Sequence, residues 1–125
     1  SSGRILTDLE HDLKIEGEEH LQNLSPKARL DLFLFYKEAL TNIIRHAGAT
    51  HVTTELTGES GEIRLAITDN GIGMNHSSPA NGVPPSLKRR ARLLGARVST
   101  NAAPNGGLQI SLRVRKHTPW PFTLL

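Results

Sequence analysis

The sequence predicts an α+β domain of two layers, a mixed and mostly antiparallel sheet covered on one face by helices. Three observations lead there. Residues 26–47 carry apolar side chains at three- and four-residue steps, the mark of a long amphipathic helix. Four later segments alternate apolar and polar residues and fall into two adjacent pairs, each joined by a glycine-containing turn. The order strand, helix, two strands, helix, two strands lets consecutive strands pair antiparallel and leaves the helices to one side.

Residues 1–10 read as a leader or expression remnant, and the lack of an initiating Met suggests a piece of a longer protein. Leu13 and Ile15 alternate with polar neighbours in a first short strand that ends at Gly17. Ser25-Pro26 starts the long helix: serine can accept from a free amide, and proline at the first helical position wastes none. Its apolar face is expected at Phe33, Tyr36, Leu40, Ile43, Ile44 and Ala47, with Gly48 as the left-handed exit. Val52, Thr54 and Leu56 then alternate toward a turn over 58–61, and Ile63, Leu65 and Ile67 return. A polar loop spans 70–85. A second helix places Leu87, Ala91 and Leu94 inward and stops at Gly95. Ala96, Val98 and Thr100 pair with Leu108, Ile110, Leu112 and Val114 around a turn at 103–107.

One domain over residues 1–125 suits this length, and 37% hydrophobic with 22% charged residues of both signs suits a folded core. With no cysteine there is neither a disulfide framework nor a thiolate ligand or nucleophile. No apolar run approaches the roughly 20 residues of a membrane helix, so the chain reads as a soluble piece. The net charge of +3 gathers in Lys88-Arg89-Arg90-Ala91-Arg92 without interleaved aromatics, so no nucleic-acid partner is expected. Residues 116–125 form an apolar tail, expected to pack back on the domain.

Glu38, Asn42 and His46 are four apart, so a carboxylate, an amide and an imidazole stand in file on the long helix, a file able to hold a hydrated cation. The run Glu38-Ala39-Leu40-Thr41-Asn42-Ile43-Ile44-Arg45-His46-Ala47-Gly48-Ala49 closely resembles the N-box of sensor histidine kinases, in the subfamily that includes nitrate sensors. A second match follows: Asp69-Asn70-Gly71-Ile72-Gly73 resembles that family's first glycine box. By strand parity Asp69 continues the inward row of Ile63, Leu65 and Ile67, and a buried carboxylate needs a donor.

The resemblance implies the Bergerat-type ATP-binding fold and a set of roles. Asn42 would hold Mg²⁺ against the ATP phosphates, with Glu38 acting through water or as base. Arg45, His46, Gly82 and Arg90 would lie along the phosphates. Asp69 would accept from the adenine amino group, with Gly71, Gly73 and Met74 close to the purine. The implied function is the ATP-binding catalytic domain that supplies the γ-phosphoryl group to a histidine on a separate dimerisation domain, with a response regulator as indirect partner. The parent would be a homodimer compatible with an anchor in a bacterial inner membrane, with this domain cytoplasmic and, in isolation, a monomer. A degenerate pseudokinase module and an anti-sigma serine kinase are the alternatives. Two departures matter. The second glycine box is replaced by Asn81-Gly82-Val83-Pro84-Pro85, whose prolines remove amides that could meet phosphate. Leu108 stands where the family favours threonine. The pair His11-Asp12 imitates a phosphoacceptor motif but lies in a strand.

Overall fold

A computed structural model of the chain describes residues 10–46, 48–71, 83–103 and 106–115. Strand β1 (Glu10–Glu16) leads through Gly17 to a one-turn helix α1 (Glu18–Leu21) and the long helix α2 (Pro26–His46). Strands β2 (His51–Glu59) and β3 (Glu62–Asp69) follow, then helix α3 (Pro85–Leu94) and strands β4 (Arg97–Ala102) and β5 (Leu108–Arg115). The five strands lie in the order β1-β2-β3-β5-β4. All pairings are antiparallel except β1 with β2. This is the mixed, mostly antiparallel sheet that the alternation implied.

One face of the sheet meets the helices. Val52, Thr54, Ile63, Leu65, Ile67, Ile110, Leu112 and Val114 are buried there against Leu32, Phe35, Ala39 and Ile43 of α2 and Leu87 and Ala91 of α3. Each large apolar side chain so buried contributes about 1.5–3 kcal/mol. The opposite face is polar, and Arg64 bridges Glu62 at 2.6 Å and Glu59 at 3.6 Å. The Arg64 guanidinium, helped by Arg113 and Arg115, holds the Glu62 carboxyl below the usual carboxylate range.

The ends of α2 follow the expected chemistry. Ser25 Oγ accepts from Ala28 N–H at 3.1 Å, and Gly48 turns the chain out with φ 63°. Its buried face overlaps the expected one only in part: Ile43 is buried and Tyr36 and Leu40 pack against the core's rim. Phe33 is 56% exposed while Phe35 and Ala39 are fully buried. At about 100° per residue, the true face is turned by roughly 80° from the expected stripe. Leu32 through Tyr36 are all apolar, so the sequence pattern there fits several faces, and packing on the sheet selects one. The rotation brings the file of Glu38 and Asn42 to the shoulder of the core. Ala47 lies outside the described residues.

The first hairpin is tighter than expected: Gly58 and Glu59 belong to β2, leaving Ser60-Gly61 as the turn, with Gly61 at φ 90°. Gly58 serves another purpose. A Cβ there would stand 2.5 Å from the carbonyl oxygen of Gly17, so its absence lets the β1–α1 corner lie on β2. Toward the outer edge the helix layer stops short of β1, where a cavity of about 270 Å³ opens between Leu13, Ile15, Leu21, Leu24, Leu32 and Phe33. His11 and Asp12 point to opposite faces of β1. His11 Nε2 lies 3.1 Å from Thr54 Oγ1 and 2.9 Å from the Tyr36 hydroxyl, whereas Asp12 pairs with His51 at 3.0 Å. Their adjacency is structural. Among the described residues no helix is long and apolar enough to cross a membrane.

Candidate functional site

Strand β3 ends on Asp69, which is 3% exposed, as the row Ile63, Leu65 and Ile67 required. Its Oδ1 accepts from Gly71 N–H at 2.8 Å, so the chain turns back over the carboxylate as it leaves the strand. On the other side lies Gly107, just before β5. A Cβ at Gly107 would stand 2.7 Å from Asp69 Oδ1 and closer still to the Asp69 carbonyl oxygen. Only glycine fits there. The sequence reading weighed Leu108 at this place; Leu108 is half-buried and pairs with Ala102.

The residue between Asp69 and Gly71 also has a part the sequence did not disclose. Asn70 Oδ1 accepts from the amides of Thr50 and His51 at 3.0 and 2.9 Å, and its Nδ2 donates to Thr50 Oγ1 at 3.1 Å. Its own amide donates to His51 O at 3.2 Å. Asn70 thus fastens the end of β3 to the start of β2 and fixes the strand end that carries Asp69. The sequence placed Asn70 only within the glycine-box match and at the start of a polar loop, because long-range hydrogen bonding leaves no local pattern.

Helix α2 ends at the same edge of the sheet, since His46 is followed within five residues by His51, and Val52 pairs with Asp69. Asn42 stands one turn before that end. Its Nδ2 is buried and has no hydrogen-bond partner. Leaving a buried amide unpaired costs about 1–3 kcal/mol, so this atom marks a place where a further polar group belongs. Glu38, one turn earlier, is half-buried, and Arg45 is exposed. The side chain of His46 lies outside what the structure describes, as do residues Gly73, Met74 and Gly82.

Helix α3 connects through Gly95 (φ 64°) and Ala96 to β4, whose first residue Arg97 pairs with Arg113 toward the far end of the sheet. The start of α3 therefore faces the Asp69 end. Pro84 caps it and Pro85 takes the first helical position, so two amides of the helix start are absent. The amides of Leu87 and Lys88 turn back onto Pro84 O at 3.0 and 3.1 Å. Arg90 is half-buried, while Lys88 and Arg89 are exposed.

The structure thus gathers Asp69, Gly71 and Gly107 into one arrangement and places Asn42 and Glu38 at the same sheet end. Among the described residues no cluster of three or more His, Asp or Glu side chains could hold a metal unaided. Mg²⁺ asks for less, one or two protein oxygens completed by water and phosphate. Asn42 and Glu38 suit that requirement.

A family described as histidine kinase-, DNA gyrase B-, and HSP90-like ATPase matches residues 28–118. The sensor histidine kinase YxjM of Bacillus subtilis is 31% identical over 87 residues, covering 70% of this chain and 21% of its own. The sensor protein VraS of Staphylococcus epidermidis is 29% identical over 114 residues, covering 87% of this chain and 32% of its own. The chain thus spans about a fifth to a third of the curated relatives it matches. Among solved structures, the ATP-binding domain of PrrB from Mycobacterium tuberculosis superposes with a TM-score of 0.62 at 25% identity, over 94% of this chain and 87% of that one. The blue-light activated histidine kinase EL346 of Erythrobacter litoralis gives 0.67 at 16% identity, over 91% of this chain and 40% of that one, a likeness of fold alone. With sheet order, helix layer and sequence in agreement, this chain belongs to the family of histidine kinase-, DNA gyrase B- and HSP90-like ATPases.

Proposed function

We propose that the chain is the ATP-binding catalytic domain of a sensor histidine kinase, with the parent's phosphoacceptor helices as its protein substrate. The observation that carries this reading is the buried, unpaired Nδ2 of Asn42 at the sheet end where Asp69 lies. An amide N–H group kept buried without an acceptor suits a side chain that donates to a ligand oxygen such as a phosphate's, with Oδ1 as the atom that could meet a cation. Asn42 with Glu38 would hold Mg²⁺, which supplies neutralisation of the phosphate charge. Asp69 would accept from the adenine amino group, with Gly107 leaving room for its carboxylate and Gly71 holding Oδ1. Arg45, His46 and Arg90 would lie along the phosphates, with Gly73, Met74 and Gly82 completing the purine and phosphate walls. Glu38 would orient the attacking imidazole or take its proton. Phosphoryl transfer asks the protein chiefly for such positioning and charge.

Within the kinases, the run from Glu38 to Ala49 supports the nitrate-sensor-like subfamily and a cytoplasmic placement of this domain. The pseudokinase reading keeps one observation in its favour: Pro84 and Pro85 remove amides from the α3 start, where an anion would otherwise be received. Calorimetric titration with ATP, with and without Mg²⁺, tests the main reading. Wild type should bind more tightly with Mg²⁺, and Asn42→Ala should lose that difference. Identical responses of the two proteins would remove Asn42 from the cation site. Phosphate transfer to the parent's helices then separates kinase from pseudokinase.

A further inference from the structure

Every residue of β1 is exposed, and among the described residues this strand is paired along one side only, with β2. Soluble proteins guard such an edge with proline, bulges, charges pointed toward the core or charged side chains along the strand, and β1 has only the last, on its outer face. Here the helix-side face of β1 carries His11, Leu13 and Ile15, and the strand has no proline. Leu13 and Ile15 stay 56% and 40% exposed beside Phe33 at 56%. An open edge with an uncovered apolar flank is a template for another strand.

We propose that β1 pairs antiparallel with β1 of a second copy, about a twofold axis through Leu13, joining two five-stranded sheets into one. The charges on the outer face select this occupant and its register. A twofold perpendicular to the sheet keeps both helix layers on one side, and directly opposed residues must then point to the same face. Centred on Leu13, it sets Asp12 opposite Lys14 of the partner and Lys14 opposite the partner's Asp12, two attractive pairs. Centred on Asp12 or Lys14, the neighbouring registers that keep the faces matched, it opposes like charges on the axis itself. The chosen register also brings the two Leu13 side chains together and sets Ile15 against His11, covering the apolar flank. Glu10 and Glu16 meet at the ends, but each has a side-chain partner at hand: the His51 imidazole at 3.3 Å from Glu10, and the Lys14 ammonium at 3.9 Å from Glu16.

A single seven-residue strand makes a small interface, so the dimer is weak and its population depends on concentration. This departs from the monomer expected from sequence. It rests on β1 alone, and the nucleotide reading stands or falls separately.

Sedimentation equilibrium of the 125-residue chain from about 10 µM to about 1 mM should show monomer passing to dimer. Lys14→Asp should weaken the dimer about tenfold, because it turns two opposed pairs from attraction to repulsion. Adding Asp12→Lys should restore it, with circular dichroism showing each variant folded. Cross-linking gives a measurement independent of those charges. The chain has no cysteine, and Leu13→Cys would place one thiol of each copy on the axis, where opposed Cβ atoms lie about 4.5–5.5 Å apart. Oxidation should link it into dimers, while Ser99→Cys on β4 should stay monomeric. A chain monomeric throughout, a dimer indifferent to the charge exchange, or equal cross-linking at Leu13 and Ser99 would overturn the proposal. So would a monomer whose edge captures a strand from another protein only.

Discussion

The two ends of helix α2 are opposites in what they bury. Near its C-terminus lie a carboxylate and an amide taken out of water, Asp69 held by Gly71 and Asn42 with its Nδ2 unpaired. Near its N-terminus, Phe33, Leu13 and Ile15 are apolar groups left in water. Ordinary folding chemistry explains neither, since cores reject lone polar atoms and surfaces seldom gather aliphatic ones. Both ends therefore point beyond the chain, one toward a small polar ligand and the other toward a polypeptide. Four tests sharpen the contrast.

The largest effect is expected at the hinge between the two ends. Phe35→Ala should cost about 3–5 kcal/mol in chemical denaturation, the usual loss for a fully buried aromatic. Phe33→Ala should fall within about 0.5 kcal/mol of wild type, as for an ordinary surface change. Equal losses would mean that the helix face was assigned wrongly and that the apolar end is core after all.

Next comes the floor of the polar end. Gly107→Ala would force a Cβ against the Asp69 backbone and carboxylate, so ATP affinity should fall by tenfold or more, with stability lowered by about 1–3 kcal/mol. Retention of both would show that the two strands can part without consequence there.

Asp69→Asn preserves the shape of the side chain but offers a donor where adenine presents one. ATP binding should weaken by about tenfold or more, and discrimination against GTP should shrink. Competition titration reads both, and unchanged selectivity would separate Asp69 from the purine.

The smallest effect belongs to Glu62, on the outer face of β3. Glu62 has a folded pKa below its unfolded one, so its contribution to stability is present above the ordinary carboxylate range and is lost as the pH falls through the depressed value. The loss on acidification should be slight, should diminish at high salt, and should shrink in Arg64→Ala, where Arg113 and Arg115 still act on the carboxylate. Denaturation midpoints measured across the acid range check it.

How much of this was legible in the sequence varies with the range of the interaction that decided it. Strand parity put Asp69 inward because the period of two is local and leaves no choice once Ile63, Leu65 and Ile67 are set. Ser25-Pro26 and Gly48 bounded α2 for the same reason. The face of α2 was legible only in part: Tyr36, Leu40 and Ile43 do meet the core, but five successive apolar residues from Leu32 fit several rotations and only the sheet picks Phe35 over Phe33. Gly58 read as a turn residue, although its purpose is to admit a backbone from forty-one positions earlier. In the site, the family motif singled out Asn42 and Asp69, while the tie made by Asn70 and the close approach of Gly107 to Asp69 emerged only from contacts between distant strands.

The fastening by Asn70 has a consequence for motion. A hairpin ordinarily frays from its open end, where the last amides exchange with solvent long before the turn does. In β2 and β3 that end is tied by three hydrogen bonds from one side chain, and the opposite end by a two-residue turn. The strand that carries Asp69 can then loosen only when the whole hairpin opens. Amides of Val52 and Thr68 should exchange at the slow rate of the hairpin's centre, and the carboxylate should hold its position before any nucleotide arrives.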